Sequence, residues 1–100
     1  MSRFSVAILP QAEAEIREAF LWYVERSPIA ADAFRALIFE AIDNLSDHAD
    51  LWPADADGFR FHVLNRFPYT LWYDFDGTTA TVLAVAHQHR RPGYWRLRGV

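Results

Sequence analysis

Near the end of the chain the string HQHRRPGYWRLR, His87 to Arg98, gathers two histidines, four arginines, a tyrosine and a tryptophan. Imidazoles exchange protons near neutral pH, guanidinium forks hold phosphate or carboxylate, and aromatic rings offer a stacking platform. Four uses of this segment compete. As a metal site, His87 and His89 fall on one side of an extended strand, but two ligands are an incomplete zinc or nickel set and the chain has no cysteine to complete it. No metal and no other cofactor is expected. As a nucleic-acid surface, the arginines supply phosphate contacts and Tyr94 and Trp95 supply stacking. RNA cleavage would need a base for the 2′-hydroxyl, an acid for the leaving oxygen and cations for the phosphorane charge. His62, His87, His89 and Tyr94 are the available proton-transfer groups, and Arg60, Arg90 and Arg91 the available cations. This reading sets Arg60 and His62 on the outward face of a neighbouring strand, sharing the tail's surface. As a protein interface, the same arginine and aromatic residues have the composition of a binding hot spot. Under the fourth use, Tyr94 and Trp95 fold back to cap the core and leave the arginines in water.

The rest of the chain offers little competing chemistry. There is no GxSxG elbow around Ser2, Ser5, Ser27 or Ser46, and the four glycines make no phosphate-binding loop. Without cysteine, thiol chemistry and disulfides are excluded. Glu13, Glu15 and Glu18 read as the solvated face of a helix. With 100 residues, 52% of them hydrophobic, the chain is read as one domain spanning residues 1–100. No apolar run reaches the ~20 residues of a membrane span, so a cytoplasmic protein without a membrane partner is expected. Charge is divided unevenly: residues 1–58 carry four arginines against eleven acids, and residues 59–100 six arginines against two acids. A basic C-terminal part is joined to an acidic body.

The elements that must position these residues follow from periodicity. Phe4, Val6 and Ile8 alternate in a strand from Arg3 to Leu9, ended by Pro10. Ala12, Ile16, Ala19, Phe20 and Tyr23 recur at helical spacing from Gln11 to Arg26. Ser27-Pro28 breaks that helix, and Ala30 to Leu45 carries a second apolar stripe, so a helical hairpin is predicted. Ser46 to Gly58 is polar and reads as a loop. Period two then returns in Phe59–Val63, Tyr69–Asp74 and Thr79–Ala86, a three-strand antiparallel meander with Asp76-Gly77 as its strongest turn signal. The expectation is an α+β domain with the helix pair on one face of a mainly antiparallel sheet.

This order, together with WYVE (Trp22 to Glu25), RFPYTLWY (Arg66 to Tyr73) and VAHQHRRPGYW (Val85 to Trp95), resembles the RelE/ParE superfamily of bacterial type II toxins. The resemblance runs from about Phe4 to Arg98, and it is closer to the ParE-like members. It implies a toxin neutralised by a cognate antitoxin whose disordered segment wraps around it, with operator DNA reached only through that antitoxin. ParE-like members poison DNA gyrase by contact, and RelE-like members cleave messenger RNA on the ribosome. On the nuclease pattern, Arg60 and His62 match two basic positions and Tyr94 the tyrosine, whereas Thr70 and Gln88 stand where arginines are usual. The missing cations and the acidic isoelectric point of about 5.7 favour gyrase contact. The expected target surface is His87, His89, Arg90, Arg91, Tyr94 and Trp95; Arg60, His62 and Tyr94 are the catalytic set under the nuclease alternative. A further alternative is a relic that binds antitoxin and poisons nothing.

Overall fold

The computed structural model describes residues 2–99. Strand β1 (Ser5–Ile8) leads to helices α1 (Pro10–Arg26) and α2 (Pro28–His48), followed by strands β2 (Arg60–Val63), β3 (Tyr69–Phe75) and β4 (Thr79–His87). The class is α+β, as expected, with a helical hairpin against one face of a four-stranded sheet. Both helices begin with proline, whose missing N–H is no loss in a first turn. Ser27 serves both. Its N–H donates to the Tyr23 carbonyl at 2.7 Å and closes α1, while its hydroxyl accepts from the Ala30 amide at 3.2 Å and opens α2.

The sheet order is β1-β4-β3-β2. The meander is antiparallel, and β1 joins it parallel to β4 along Ser5–Ile8 and Thr79–Val82. A parallel neighbour needs a long crossover, and the intervening hairpin and strands provide one. The Asp76-Gly77 turn forms as read. Gly77 takes φ +98°, and the Asp76 carboxylate accepts from the Thr78 and Thr79 amides, both at 2.8 Å.

One irregularity decides where the second half of β4 points. Tyr73 pairs with Val82 and Trp72 with Ala84, so Leu83 bulges from the ladder. The extra residue shifts the alternation: Ala80, Val82 and Val85 join the helix-side core, whereas Leu83, Ala84 and Ala86 face the other way. There the tail supplies a second core. Trp95 is 1% exposed, stacked on Trp72 at 4.5 Å and meeting the Phe59 ring edge-on at 5.0 Å. Burying an indole removes about 200 Å² from water, on the order of 5 kcal/mol. The tail is therefore a layer of the fold in its own right, closing the sheet face that the helices leave open.

The pairing register corrects the sequence reading of β2. Arg60 lies opposite Tyr73 and His62 opposite Leu71, residues of the helix-side core, so both side chains face the helices and not the tail. Phe59 and Phe61 occupy the tail side, against Trp95 and Trp72.

Candidate functional site

The tail's four arginines separate into two pairs with different duties. Arg96 brackets the loop before β2, reaching Asp57 at 2.8 Å and Asp55 at 2.9 Å. Burial alone would push the Asp55 carboxyl up, but hydrogen bonds from Arg96 and from the Phe59 and Asp57 amides hold it below the usual carboxylate range. Arg98 meets Glu15 of α1 with both terminal guanidinium nitrogens, at 2.9 and 3.1 Å, and also donates to the Leu83 carbonyl at 3.2 Å. Gly93 makes the sharp return possible: φ is +74°, and a Cβ there would sit 2.6 Å from Arg96 Nε. Arg90 and Arg91 remain exposed and, among the described residues, have no ion-pair partner.

Glu15 is the residue that sequence reasoning missed. Its helical spacing resembles that of its exposed neighbours, but its side chain is 12% exposed. Besides Arg98, it accepts from the Val85 amide at 3.1 Å and from the Tyr94 hydroxyl at 2.5 Å. Burial raises the Tyr94 phenol well above its ordinary range, and the adjacent Glu15 carboxylate raises it further against the opposing Arg90 and Arg98 charges. The Tyr94 proton is committed to Glu15. The Tyr94 ring stays partly open, with the Arg90 guanidinium 4.0 Å from its centroid.

His87, Arg90 and Arg91 line one groove together with that ring, and His89 sits against His87, so the four form a ridge beside it. His87 packs edge-on against Tyr69 at 5.1 Å, and its Nδ1 accepts from the His89 amide at 3.0 Å. The two imidazoles are 5.1 Å apart. Among the described residues no group of three histidine, aspartate or glutamate side chains is placed to hold a metal. The ridge separates a groove of about 370 Å³ beside α1 from one of about 270 Å³ over Thr70, Trp72 and Gln88. Trp95, grouped with these residues from the sequence, lies beneath the ridge and supports it.

Arg60 and His62 stand elsewhere. Arg60 donates to the Trp52 carbonyl at 2.6 Å and the Asp50 carbonyl at 3.2 Å, tying down the chain that leaves α2. His62 stacks on Trp52 with centroids 4.1 Å apart and planes 11° from parallel, and burial lowers its pKa below 6.5. The groove over His62 is walled by Leu37, Glu40 and Asn44 of α2 and is lined by no residue of the tail. His62 and Tyr94 thus share no groove among those the structure shows.

The family model described as "ParE toxin of type II toxin-antitoxin system, parDE" matches residues 6–92. The chain belongs to the ParE toxin family. A solved structure, the chromosomal ParDE TA system from P. aeruginosa, superposes with a TM-score of 0.73 at 21% identity, covering 85% of this chain and 96% of that one. That likeness is one of fold. No curated protein sequence matches the chain. Among the described residues no helix is long and apolar enough to cross a membrane.

Proposed function

We propose that this ParE toxin acts on DNA gyrase by protein–protein contact through the ridge of His87, His89, Arg90, Arg91 and the Tyr94 ring, and that a cognate antitoxin holds it inactive. The observation that carries this reading is the dispersal of the nuclease set. Arg60 is engaged by main-chain carbonyls, His62 faces α2, and the Tyr94 hydroxyl donates to Glu15. General acid and base groups must reach one scissile bond within hydrogen-bond distance, which this arrangement does not provide. The ridge needs no such convergence: exposed arginines around an aromatic ring are suited to a macromolecular surface. Its two exposed guanidiniums stand on a base braced by Arg96 and Arg98, so target contact and tail folding use different arginines. Membership of the ParE family supports an antitoxin partner, and an acidic body joined to a basic tail is suited to a partner segment of mixed charge.

The test is titration of the purified chain into a gyrase supercoiling reaction, with the Arg90→Ala/Arg91→Ala double variant as control. Inhibition with accumulation of cleaved DNA is expected from the native chain, and its loss from the folded variant. A native chain that stops growth yet leaves supercoiling untouched and cleaves ribosome-bound messenger RNA would replace this reading with the nuclease one.

A further inference from the structure

Strand β2 is an outer strand of the sheet, and its free side is only half covered. In an antiparallel ladder, alternate residues turn both main-chain groups toward the neighbouring strand, and the residues between them turn theirs away. The Leu64 amide donates to the Tyr69 carbonyl at 2.9 Å, which sets Leu64 and, two and four residues back, His62 and Arg60 toward β3. Phe59, Phe61 and Val63 therefore turn outward. The preceding loop covers the first part of this edge: the Asp55 amide donates to the Phe59 carbonyl at 2.8 Å, and the Phe61 amide to the Pro53 carbonyl at 3.1 Å. Past that point the cover stops. The Phe61 carbonyl and both main-chain groups of Val63 have no partner among the described residues.

Nothing in the side chains guards this stretch. Phe61 to Asn65 contains no formally charged residue and no proline, the usual protections of an edge strand. The Val63 side chain is 62% exposed. The free groups are also self-complementary. A donor and an acceptor of one residue, turned the same way, are what the central residue of a two-fold antiparallel pair requires. With Val63 opposite Val63 of a second copy, two N–H···O=C bonds cross the axis, and the Phe61 carbonyl of each copy faces the Asn65 amide of the other. Charge agrees with this register. Arg66, exposed just past the strand at φ +72°, comes level with Arg60 of the other copy, whose guanidinium is held by the Asp50 and Trp52 carbonyls. Beside it Glu40 and Asp43 rim the groove over Trp52 and His62. Neither Arg66 nor these two carboxylates have an ion-pair partner among the described residues.

We infer that the open half of this edge is the seat of a second copy of the chain, paired β2 to β2 about a two-fold axis. Pairing joins the two sheets into one of eight strands. The axis stands perpendicular to that sheet, so both tails lie on one face and the two Arg90 and Arg91 ridges are presented in the same direction. Whatever surface a ridge meets is then met twice, the second contact forming at the effective concentration set by the first. Five residues a side fall short of the roughly 20 that a standard interface uses, so the pair is a reversible one.

The full chain, purified without antitoxin, is followed by sedimentation over roughly 1 to 500 μM. Expected is a reversible shift from one chain to two and no larger species, since the pairing uses each edge once. At the upper concentration, exchange of the Val63 amide should slow by about tenfold or more. Val63→Lys and Val63→Asp set like charges against each other across the axis, so each variant alone should stay single, while an equimolar mixture of the two should pair again. Unchanged thermal midpoints would show that these exposed substitutions leave the fold intact; where a variant melts lower, amide exchange in the native chain decides alone. A native chain that stays single throughout, a pair that both variants leave unchanged, or a pair in which the Val63 amide exchanges as it does in the single chain overturns the inference.

Discussion

At the scale of single residues, Glu15 carries more of this molecule than its sequence surroundings announce. One carboxylate satisfies a main-chain amide, a phenol and a guanidinium drawn from positions 70 to 83 residues away. Removing it as Glu15→Ala leaves the Val85 amide and the Tyr94 hydroxyl without this acceptor and Arg98 with only the Leu83 carbonyl, and breaking a largely buried pair of this kind costs about 3 kcal/mol. The urea midpoint of that variant should fall accordingly, whereas Glu13→Ala, on the solvated side, should leave it unchanged. Tyrosines offer a second check. Burial pushes Tyr73 up to about 12 and raises Tyr23, Tyr69 and Tyr94 above 10 as well. In spectrophotometric titration the native chain should show less phenolate absorbance at pH 10 than a denatured control, which is half ionised there. These residues also mark the limit of sequence reading. The tail's chemical types were plain, but whether a carboxylate is solvated or central depends on a partner found only through the fold.

At the scale of elements, the helical hairpin, the meander and its Asp76-Gly77 turn were legible, because periods of 3.6 and 2 and a glycine with positive φ are local signals. The partner of β1 was not, since nothing local says which strand a crossover returns to. Nor was the direction of Arg60 and His62. Both faces of this sheet are covered, one by helices and one by the tail, so the alternation of Phe59 and Phe61 with Arg60 and His62 marks two interiors and not an inside and an outside. The tail has no periodicity at all; it is a run of turns held by Trp95, Arg96 and Arg98. Replacing Trp95 with alanine should cost about 4 kcal/mol and lower the thermal midpoint of the entire domain, because its cavity opens in a closed core. Scanning calorimetry distinguishes this from the local loss expected of a surface aromatic.

At the scale of the whole molecule, acid and alkali act through different groups. Burial lowers the His62 pKa, so below pH 6.5 the unfolded chain binds a proton that the native one refuses, and stability falls as pH drops toward the native value. The decline between pH 7 and 5, followed by urea unfolding, should flatten in the His62→Gln variant. At the other extreme the raised tyrosines reverse the sign. The unfolded chain loses protons from pH 10 while the native one keeps them, and stability falls as pH rises toward about 12.

The crowding of several duties into the last turns has a genetic consequence. A population escaping its own poison has an easy route in nonsense mutation, and a stop at Tyr94 removes the ridge's ring, the indole of the second core and both bracing guanidiniums in one event. Such an allele leaves no inert decoy to titrate the antitoxin, only a chain for the proteases. On the proposed target ridge, missense changes at Arg90 or Arg91 should relieve toxicity and leave the folded protein in circulation. The two kinds of survivor should differ in steady-state toxin level on an immunoblot, and in whether the antitoxin they carry is free.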